Sequence, residues 1–184
     1  MQVLGISGSL RQGSFNTALL RAAIEMAPQD MTIETGRIDD LPLYNDDVRV
    51  AGYPPTVVRL REQVARADAI LLVTPEYNYS VPGVLKNAID WVSRPPDQPF
   101  NEKPIALMGA SIGMLGSARS QYHLRQCFVY LNAFVLNQPE VMVAKAPERF
   151  DAAGKLTDES TRKIVAKQLQ ALVEFTAWVK KKRG

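Results

Sequence analysis

The segment from Gly8 to Ala18 has the composition and the position of an anion-binding loop. It reads GSLRQGSFNTA, follows the apolar residues 2–7, and leads from Phe15 into apolar residues at helical spacing. A turn rich in glycine and serine between a strand and a helix directs backbone N–H groups, and the positive end of the helix dipole, toward one point. The spacing therefore predicts an anion site, and the anion most often bound at such a site is a phosphate.

The polar side chains in and just after this first loop, residues 8–14, favour a single terminal phosphate. Ser9, Ser14 and Asn16 can donate hydrogen bonds, and the guanidinium of Arg11 offers a planar fork to a dianion. The pattern G-x-x-x-x-G-S lacks the lysine of a P-loop, and no G-x-G-x-x-G fingerprint is present, so neither a nucleoside triphosphate nor a Rossmann-bound dinucleotide is favoured. The alternative is an ordinary helix start, in which Ser14 caps the helix and Arg11 lies in solvent.

A second loop, residues 75–82, follows the near-continuous apolar strand 69–74. An apolar run of this kind is typical of a central strand that is buried on both faces. Tyr77 and Tyr79 stand among prolines and form a stiff, flat-walled rim, whose free backbone groups could hydrogen-bond the edge of a heterocycle. The alternative is a rigid turn in which the tyrosines only pack.

A third loop, residues 112–116, follows the apolar strand 104–111. Together with Ser111, the glycines Gly113 and Gly116 allow the backbone to approach a ring closely, because glycine has no side chain. Glycine turns at strand ends are common, so this loop indicates a site only in combination with the other two.

Strands and helices alternate along the chain, which predicts one α/β domain, residues 1–184, with a doubly wound parallel sheet. The predicted strands are residues 2–7, 31–38, 69–74, 104–111 and 133–143, the last interrupted near Pro139. The predicted helices begin at Phe15, Pro55, Pro82, Ser117 and about residue 157. In a flavodoxin-like, five-stranded sheet of order 2-1-3-4-5, the first, third and fourth strands are neighbours, so the three loops would meet in one crevice at their carboxyl ends.

The composition is that of an ordinary globular protein and excludes several other classes. With 184 residues, 46% hydrophobic and 22% charged, the chain suits one full core. The longest apolar runs are too short to span a bilayer and no signal peptide is visible, so we expect a cytoplasmic protein with no membrane partner. One cysteine and one histidine exclude an internal disulfide and a Cys/His metal site. Much of the excess charge of +3 lies in residues 180–183. The sequence shows no basic face with interleaved aromatic residues, so we expect no nucleic-acid partner.

Two long motifs resemble the signatures of a known enzyme family. Residues 8–16 (GSLRQGSFN) and 74–83 (TPEYNYSVPG) are similar to the two signatures of the NAD(P)H-dependent FMN reductase family, and residues 86–91 continue the second. Residues 121–126 also fit the bacterial branch described as chromate or quinone reductases. The similarity runs over nearly the whole chain. It implies a flavodoxin-like fold, a tightly held FMN, and dimers or tetramers with the flavin near a subunit interface.

The resemblance also implies which residues surround the FMN. The polar residues of the first loop would hold the phosphate, the second loop would line the isoalloxazine chiefly through backbone atoms, and the third loop would approach the ring from the other side. The implied residues are Ser9, Arg11, Ser14, Phe15, Asn16, Pro75, Glu76, Tyr77, Asn78, Ser111 and Gly113. No metal and no catalytic side chain are expected, because the chemistry belongs to the flavin, and a structural role is favoured for Glu76.

The family resemblance implies hydride transfer from C4 of NADPH or NADH to N5 of FMN, after which an acceptor stacks in the place that the nicotinamide leaves. This order predicts ping-pong kinetics. Quinones, azo compounds, chromate and free flavin are the expected acceptors. Two alternatives remain open: a one-electron carrier of flavodoxin type, which the basic charge and the GSLR loop disfavour, and a flavin-binding module that senses redox state.

Three residues outside the loops suggest a contact between subunits. Arg119 and Tyr122 lie three residues apart on one helical face, and Glu140 follows in the last strand. We predict that they join subunits of a homodimer or homotetramer. The single His123 and the single Cys127 lie on the same predicted helix and are expected to serve packing or an interface rather than catalysis.

Overall fold

Residues 1–183, the part of the chain that the structure, a computed structural model, describes, form six strands and six α-helices, which alternate except that α2 precedes α3 and β5 precedes β6 directly. The strands are β1 (Gln2–Ser7), β2 (Thr32–Gly36), β3 (Ala69–Val73), β4 (Pro104–Ala110), β5 (Phe134–Val135) and β6 (Val141–Val143). The helices are α1 (Phe15–Glu25), α2 (Asp46–Ala51), α3 (Pro55–Arg66), α4 (Gly83–Val92), α5 (Ala118–Tyr130) and α6 (Glu159–Arg183), with a 3₁₀ turn at Ala146–Glu148.

All strand pairs are parallel, in the order β2-β1-β3-β4-β5, with β6 also beside β4. The predicted flavodoxin-like fold and strand order are therefore confirmed. Every residue of β3 and β4 is buried, as their unbroken apolar sequences predict for central strands. One core lies between the sheet and helices α1 and α6, and the other lies between the sheet and helices α3, α4 and α5. Because β1, β3 and β4 are parallel neighbours, their carboxyl ends lie together at one edge of the sheet.

The predicted last strand is split into two short pieces. β5 pairs with the first residues of β4 and β6 pairs with its last residues, so the backbone between them leaves the ladder near Pro139. The buried side chain of Gln168 donates to the carbonyls of Leu107 and Pro139, at 2.9 and 2.7 Å. Its amide satisfies carbonyls that a continuous strand would otherwise pair. The sequence predicted the interruption but not the side chain that bridges it.

Helix α2 was not predicted from the sequence. None of its residues is buried, so it has no apolar stripe that periodicity could detect. The side chain of Asn45 caps its start by accepting the N–H of Asp47 at 2.9 Å. The preceding segment is held to α4 by the indole N–H of the buried Trp91, which donates to the carbonyl of Pro42 at 2.8 Å.

Candidate active site

The three loops converge on one cavity at the carboxyl ends of β1, β3 and β4. Its volume is about 470 Å³, which lies within the usual range for small-molecule and cofactor sites. The cavity is lined by Ser9, Arg11, Ser14, Phe15, Asn16, Pro75, Glu76, Tyr77, Ala110, Ser111 and Ile112. The first loop and the start of α1 form one side, the second loop forms another, and the end of β4 forms the third.

Of the residues predicted to surround a cofactor, all but Asn78 and Gly113 line this cavity. Both of these residues are exposed beside it, one in the second loop and one in the third. The sequence did not predict two lining residues, Ala110 and Ile112, although both flank Ser111 at the end of a predicted strand. Their position next to Ser111 was the signal that could have found them.

The first loop combines a capped helix start with free hydrogen-bond donors. The Ser14 Oγ accepts the N–H groups of Asn16 and Thr17, at 3.2 and 3.4 Å. Arg11 is exposed and makes no ion pair within residues 1–183, and the backbone N–H of Phe15 has no acceptor there. The structure thus contains both features of the ordinary helix start, and it leaves a guanidinium and an N–H beside the cavity for an anion.

The side chain of Asn16 links the first side of the cavity to the third. Its Nδ2 donates to the carbonyl of Ala110 at 3.0 Å, and its Oδ1 accepts the Ala110 N–H at 2.9 Å. Asn16 is buried, so this pair of bonds is shielded from water. These bonds hold α1 against the end of β4, and they use one of the two amide hydrogens of Asn16, the side chain that was predicted to donate to a phosphate.

The second loop closes on itself in a tight turn. Tyr77 and Ser80 exchange both backbone hydrogen bonds, at 3.2 and 3.0 Å. The two residues between them, Asn78 and Tyr79, have φ of 49° and 66°, as a type I′ turn requires. The Tyr77 hydroxyl lies 3.3 Å from the Ser9 Oγ, which connects this turn to the first loop.

Glu76 joins the second loop to the start of α5. Its Oε2 accepts the backbone N–H groups of Arg119 and Ser120, at 2.9 and 3.4 Å, and its Oε1 accepts from the Arg119 guanidinium. The helix has no cap of its own, since Ser117 precedes it in the left-handed conformation and its side chain caps nothing. The Arg119 guanidinium also lies 3.5 Å from the centre of the Tyr79 ring, and its bond to Glu76 raises its pKa. This arrangement agrees with a structural role for Glu76.

Two glycines hold the third loop close to its neighbours. A Cβ on Gly109 would lie 2.1 Å from both the Thr74 carbonyl oxygen and the Ser117 Oγ. Gly116 has φ of 52°, and a Cβ there would lie 2.4 Å from the Met142 backbone. Gly116 is buried against β6 and does not line the cavity, so its predicted approach to a bound ring is replaced by packing beneath the loop.

The remaining candidates lie on α5 and near the last strand. Tyr122 is exposed and Glu140 is half-buried, which leaves both accessible for the predicted subunit contact. The His123 Nδ1 lies 2.9 Å from the Ser80 Oγ of the second loop. Cys127 is half-buried, and burial raises the pKa of its thiol, so it is no activated nucleophile.

Residues 1–183 contain no group of three or more His, Cys, Asp or Glu side chains placed to hold a metal ion. Their helices also lack the combination of length and apolar character that a membrane crossing requires.

Comparison with known proteins adds a family, close relatives and a similar structure. Residues 1–148 match the family described as NADPH-dependent FMN reductase. The chain is 56% identical, over 100% of its length and 98% of the relative's, to an NAD(P)H-dependent FMN reductase of Pseudomonas aeruginosa. It is 47% identical, over 98% of its own length and 97% of the relative's, to a quinone reductase of Escherichia coli. The structure resembles a flavoenzyme NAD(P)H:(acceptor) oxidoreductase of Paracoccus denitrificans, with a TM-score of 0.87, 36% identity, and coverage of 98% and 97%.

Proposed function

Because the chain belongs to the NADPH-dependent FMN reductase family, a family of oxidoreductases that use FMN and NAD(P)H, we propose that its electron acceptors are quinones. The observation that carries the proposal is the cavity itself, which joins a helix start suited to an anion to an open mouth. Tyr77 and Ile112 at this mouth are 49% and 75% exposed, so an apolar planar molecule could stack there. The quinone reductase of Escherichia coli among its relatives also supports this acceptor class.

The residues of the cavity fit FMN. Arg11 has no ion-pair partner within the described residues, the N–H of Phe15 has no acceptor, and both lie at the positive end of α1, which suits a phosphate. Ser9, Arg11, Ser14 and the backbone of Phe15 would hold that phosphate, while residues 75–77 and 110–112 would form the walls beside the ring. When bound, FMN supplies the acceptor for the hydride of NAD(P)H and the donor for the quinone.

The protein's own contribution is to bind, orient and stabilise. Backbone groups of the second and third loops would hydrogen-bond the ring edge and stabilise negative charge on the reduced ring. Glu76 is already paired with Arg119 and is not available as a general base. A single open mouth would admit the nicotinamide and the quinone in turn, so we expect ping-pong kinetics, seen as parallel lines in double-reciprocal plots.

The deciding experiment is a spectrum followed by a two-step titration. The purified protein should carry flavin absorbance, lose it on anaerobic addition of NADPH, and regain it on addition of a quinone; azo dyes, chromate and free flavin complete the acceptor panel. Comparing NADPH with NADH shows which nucleotide is the better hydride donor. Slow direct reduction by either nucleotide would support the electron-carrier alternative, and a single turnover without repetition would support a redox sensor. A colourless protein that takes up no added FMN would end the proposal.

We also propose a homodimer or homotetramer in the cytoplasm. Tyr122 and Glu140 are accessible for a subunit contact, whereas Arg119 is paired within the chain, with its side chain 34% exposed. Light scattering after size exclusion measures the assembly, and Tyr122→Ala should shift it toward the smaller species.

The proposed location in the cytoplasm is supported by the lone cysteine, which suits a reducing compartment. Cell fractionation tests this location.

A further inference from the structure

We infer that Glu76 is a positioning residue: by holding the start of α5, it fixes the second loop in the conformation that lines the FMN cavity. The inference rests on the proposed function, because it concerns the wall beside the flavin ring. It assigns Glu76 an action through Arg119 and α5, and no contact with the reacting atoms.

The first step is that the Glu76 carboxylate is fully engaged. Its side chain is only 7% exposed, and a charge buried to that extent must be paired to be tolerated. All of its donors belong to the first turn of α5: two backbone N–H groups and the Arg119 guanidinium. The carboxylate therefore replaces the missing helix cap and lies at the favourable end of the helix dipole.

The second step is that Arg119 contacts the second loop at two points. It pairs with Glu76 before the turn and covers the ring of Tyr79 within it, at 3.5 Å. Tyr79 has a positive φ of 66°, a conformation that a bulky residue adopts only when its surroundings enforce it. The two Tyr77–Ser80 backbone hydrogen bonds impose it within the turn, and the contact with Arg119 is positioned to reinforce it from α5.

The third step links this anchor to the cavity. Tyr77, next to Glu76, lines the cavity, and its hydroxyl lies 3.3 Å from the Ser9 Oγ of the first loop. Ser80, at the end of the turn, lies 2.9 Å from His123 of α5. Breaking the bonds of Glu76 would thus loosen the cavity wall at Tyr77 and its contact with Ser9 of the first loop. Arg119 itself does not line the cavity.

The test uses Glu76→Gln, Arg119→Gln, Arg119→Lys and the double variant E76Q/R119Q. Glu34→Gln is the control. Like Glu76, Glu34 accepts from an arginine and from a second donor, but it lies in β2 and does not line the cavity. Flavin fluorescence quenching measures the FMN Kd. Chymotrypsin cleavage at Tyr77 and Tyr79 in the FMN-free protein measures the opening of the second loop directly.

We expect E76Q to raise the FMN Kd by about tenfold or more, as the loss of a charge-assisted hydrogen bond implies, and to speed cleavage of the second loop. The double variant should be no weaker than E76Q, because both residues act through one contact. R119K, which keeps the charge, should recover part of the affinity that R119Q loses. At saturating FMN, E76Q should also shift the visible absorption of the bound flavin, since the wall beside the ring has moved.

A Kd and a cleavage rate in E76Q equal to those of the Glu34→Gln control would overturn the inference. So would a loss of NADPH oxidation with unchanged Kd and spectrum, because Glu76 would then act on the reaction directly. If E76Q does not fold, the Arg119 variants decide in its place, since that side chain is partly exposed. If the wild-type protein binds no FMN, the proposed function fails, and the cleavage rates alone decide whether Glu76 fixes the loop.

Discussion

Asn16 connects two sides of the cavity through the backbone of Ala110, and removing this side chain should destabilise the fold. Asn16→Ala leaves the Ala110 N–H and carbonyl buried without partners, at a cost of about 1–3 kcal/mol for each group. Urea unfolding of the FMN-free protein measures the loss. Asn137→Ala, at an exposed asparagine that accepts from Arg125, serves as the control and should change stability little. Equal effects of the two variants would show that the Asn16 bonds contribute nothing special.

Gly109 permits the close approach between β4 and the residues after β3. The methyl group of Gly109→Ala would meet the Thr74 carbonyl oxygen and the Ser117 Oγ at 2.1 Å, so the backbone must shift. We expect a loss of stability of about 1–3 kcal/mol or more, as for an overpacked core, and weaker FMN binding. Gly113→Ala in the third loop is the control for stability alone, because its nearest heavy atom would be the Ser111 Oγ at 3.6 Å. Thermal melting that ranks the two variants in the opposite order would contradict this account.

The sequence identified the residue types around the cavity better than their partners. The positions of Ser14 at the helix start and of Arg11 in the first loop were predicted from the neighbouring residues in the sequence, because a helix cap and a loop cation depend on those neighbours. The bonds from Asn16 to Ala110 and from Glu76 to Arg119 join residues far apart in sequence, so local patterns carry no signal for them. The bond from Arg119 to Glu76 was not predicted for the same reason, and the predicted contact of Arg119 with a second subunit stays a prediction.

At the scale of elements, the start of α6 depends on one carboxylate. Asp158 accepts from the Ser160 Oγ at 2.6 Å and the Thr161 N–H at 2.8 Å, and it pairs with Arg149 at 2.9 Å. These bonds hold the pKa of Asp158 well below its ordinary value. A lowered folded-state pKa gives stability that is present above the unfolded pKa, about 3.9, and is lost as the pH falls through the folded value.

Asp158→Asn should therefore remove part of the acid sensitivity of the protein. We expect the wild-type urea midpoint to fall as the pH drops from about 5 toward 3, and the variant to show a lower midpoint at pH 5 with a shallower fall. Asp97→Asn is the control, since Asp97 is exposed and makes no ion pair with any described residue. Parallel pH profiles for Asp158→Asn and the wild type would refute a role for this carboxylate in acid unfolding.

Regular elements were predictable where burial produced a periodic pattern. β3 and β4 follow directly from their apolar runs, and α1, α3 and α4 follow from their apolar faces. α2 could not be predicted, because all of its residues lie outside the core. The last strand was predicted as one interrupted element, but its division into β5 and β6 depends on Gln168, which is distant in sequence.

At the scale of the whole molecule, the strand order determines the site. Neighbouring β1, β3 and β4 bring three loops to one edge of the sheet, and each loop taken alone would be an ordinary turn. The helix dipole, Arg11 and the free N–H of Phe15 lie on the side of the cavity formed by the first loop, while Tyr77 and Ile112 lie at its mouth. This separation of an anionic end from a flat apolar end predicts that a ligand must carry both parts to bind well.

FMN should therefore stabilise the protein far more than riboflavin, which has the same ring but no phosphate. At a concentration 100 times its Kd, FMN should raise the free energy of unfolding by about 2.7 kcal/mol. Riboflavin at the same concentration lacks the charge-assisted bonds of the phosphate, about 1.5–3 kcal/mol each, and should raise the free energy of unfolding by much less. Arg11→Gln should weaken the FMN effect and leave the riboflavin effect unchanged. Thermal melting against ligand concentration measures all three, and equal stabilisation by the two flavins would mean that the first loop does not hold the phosphate.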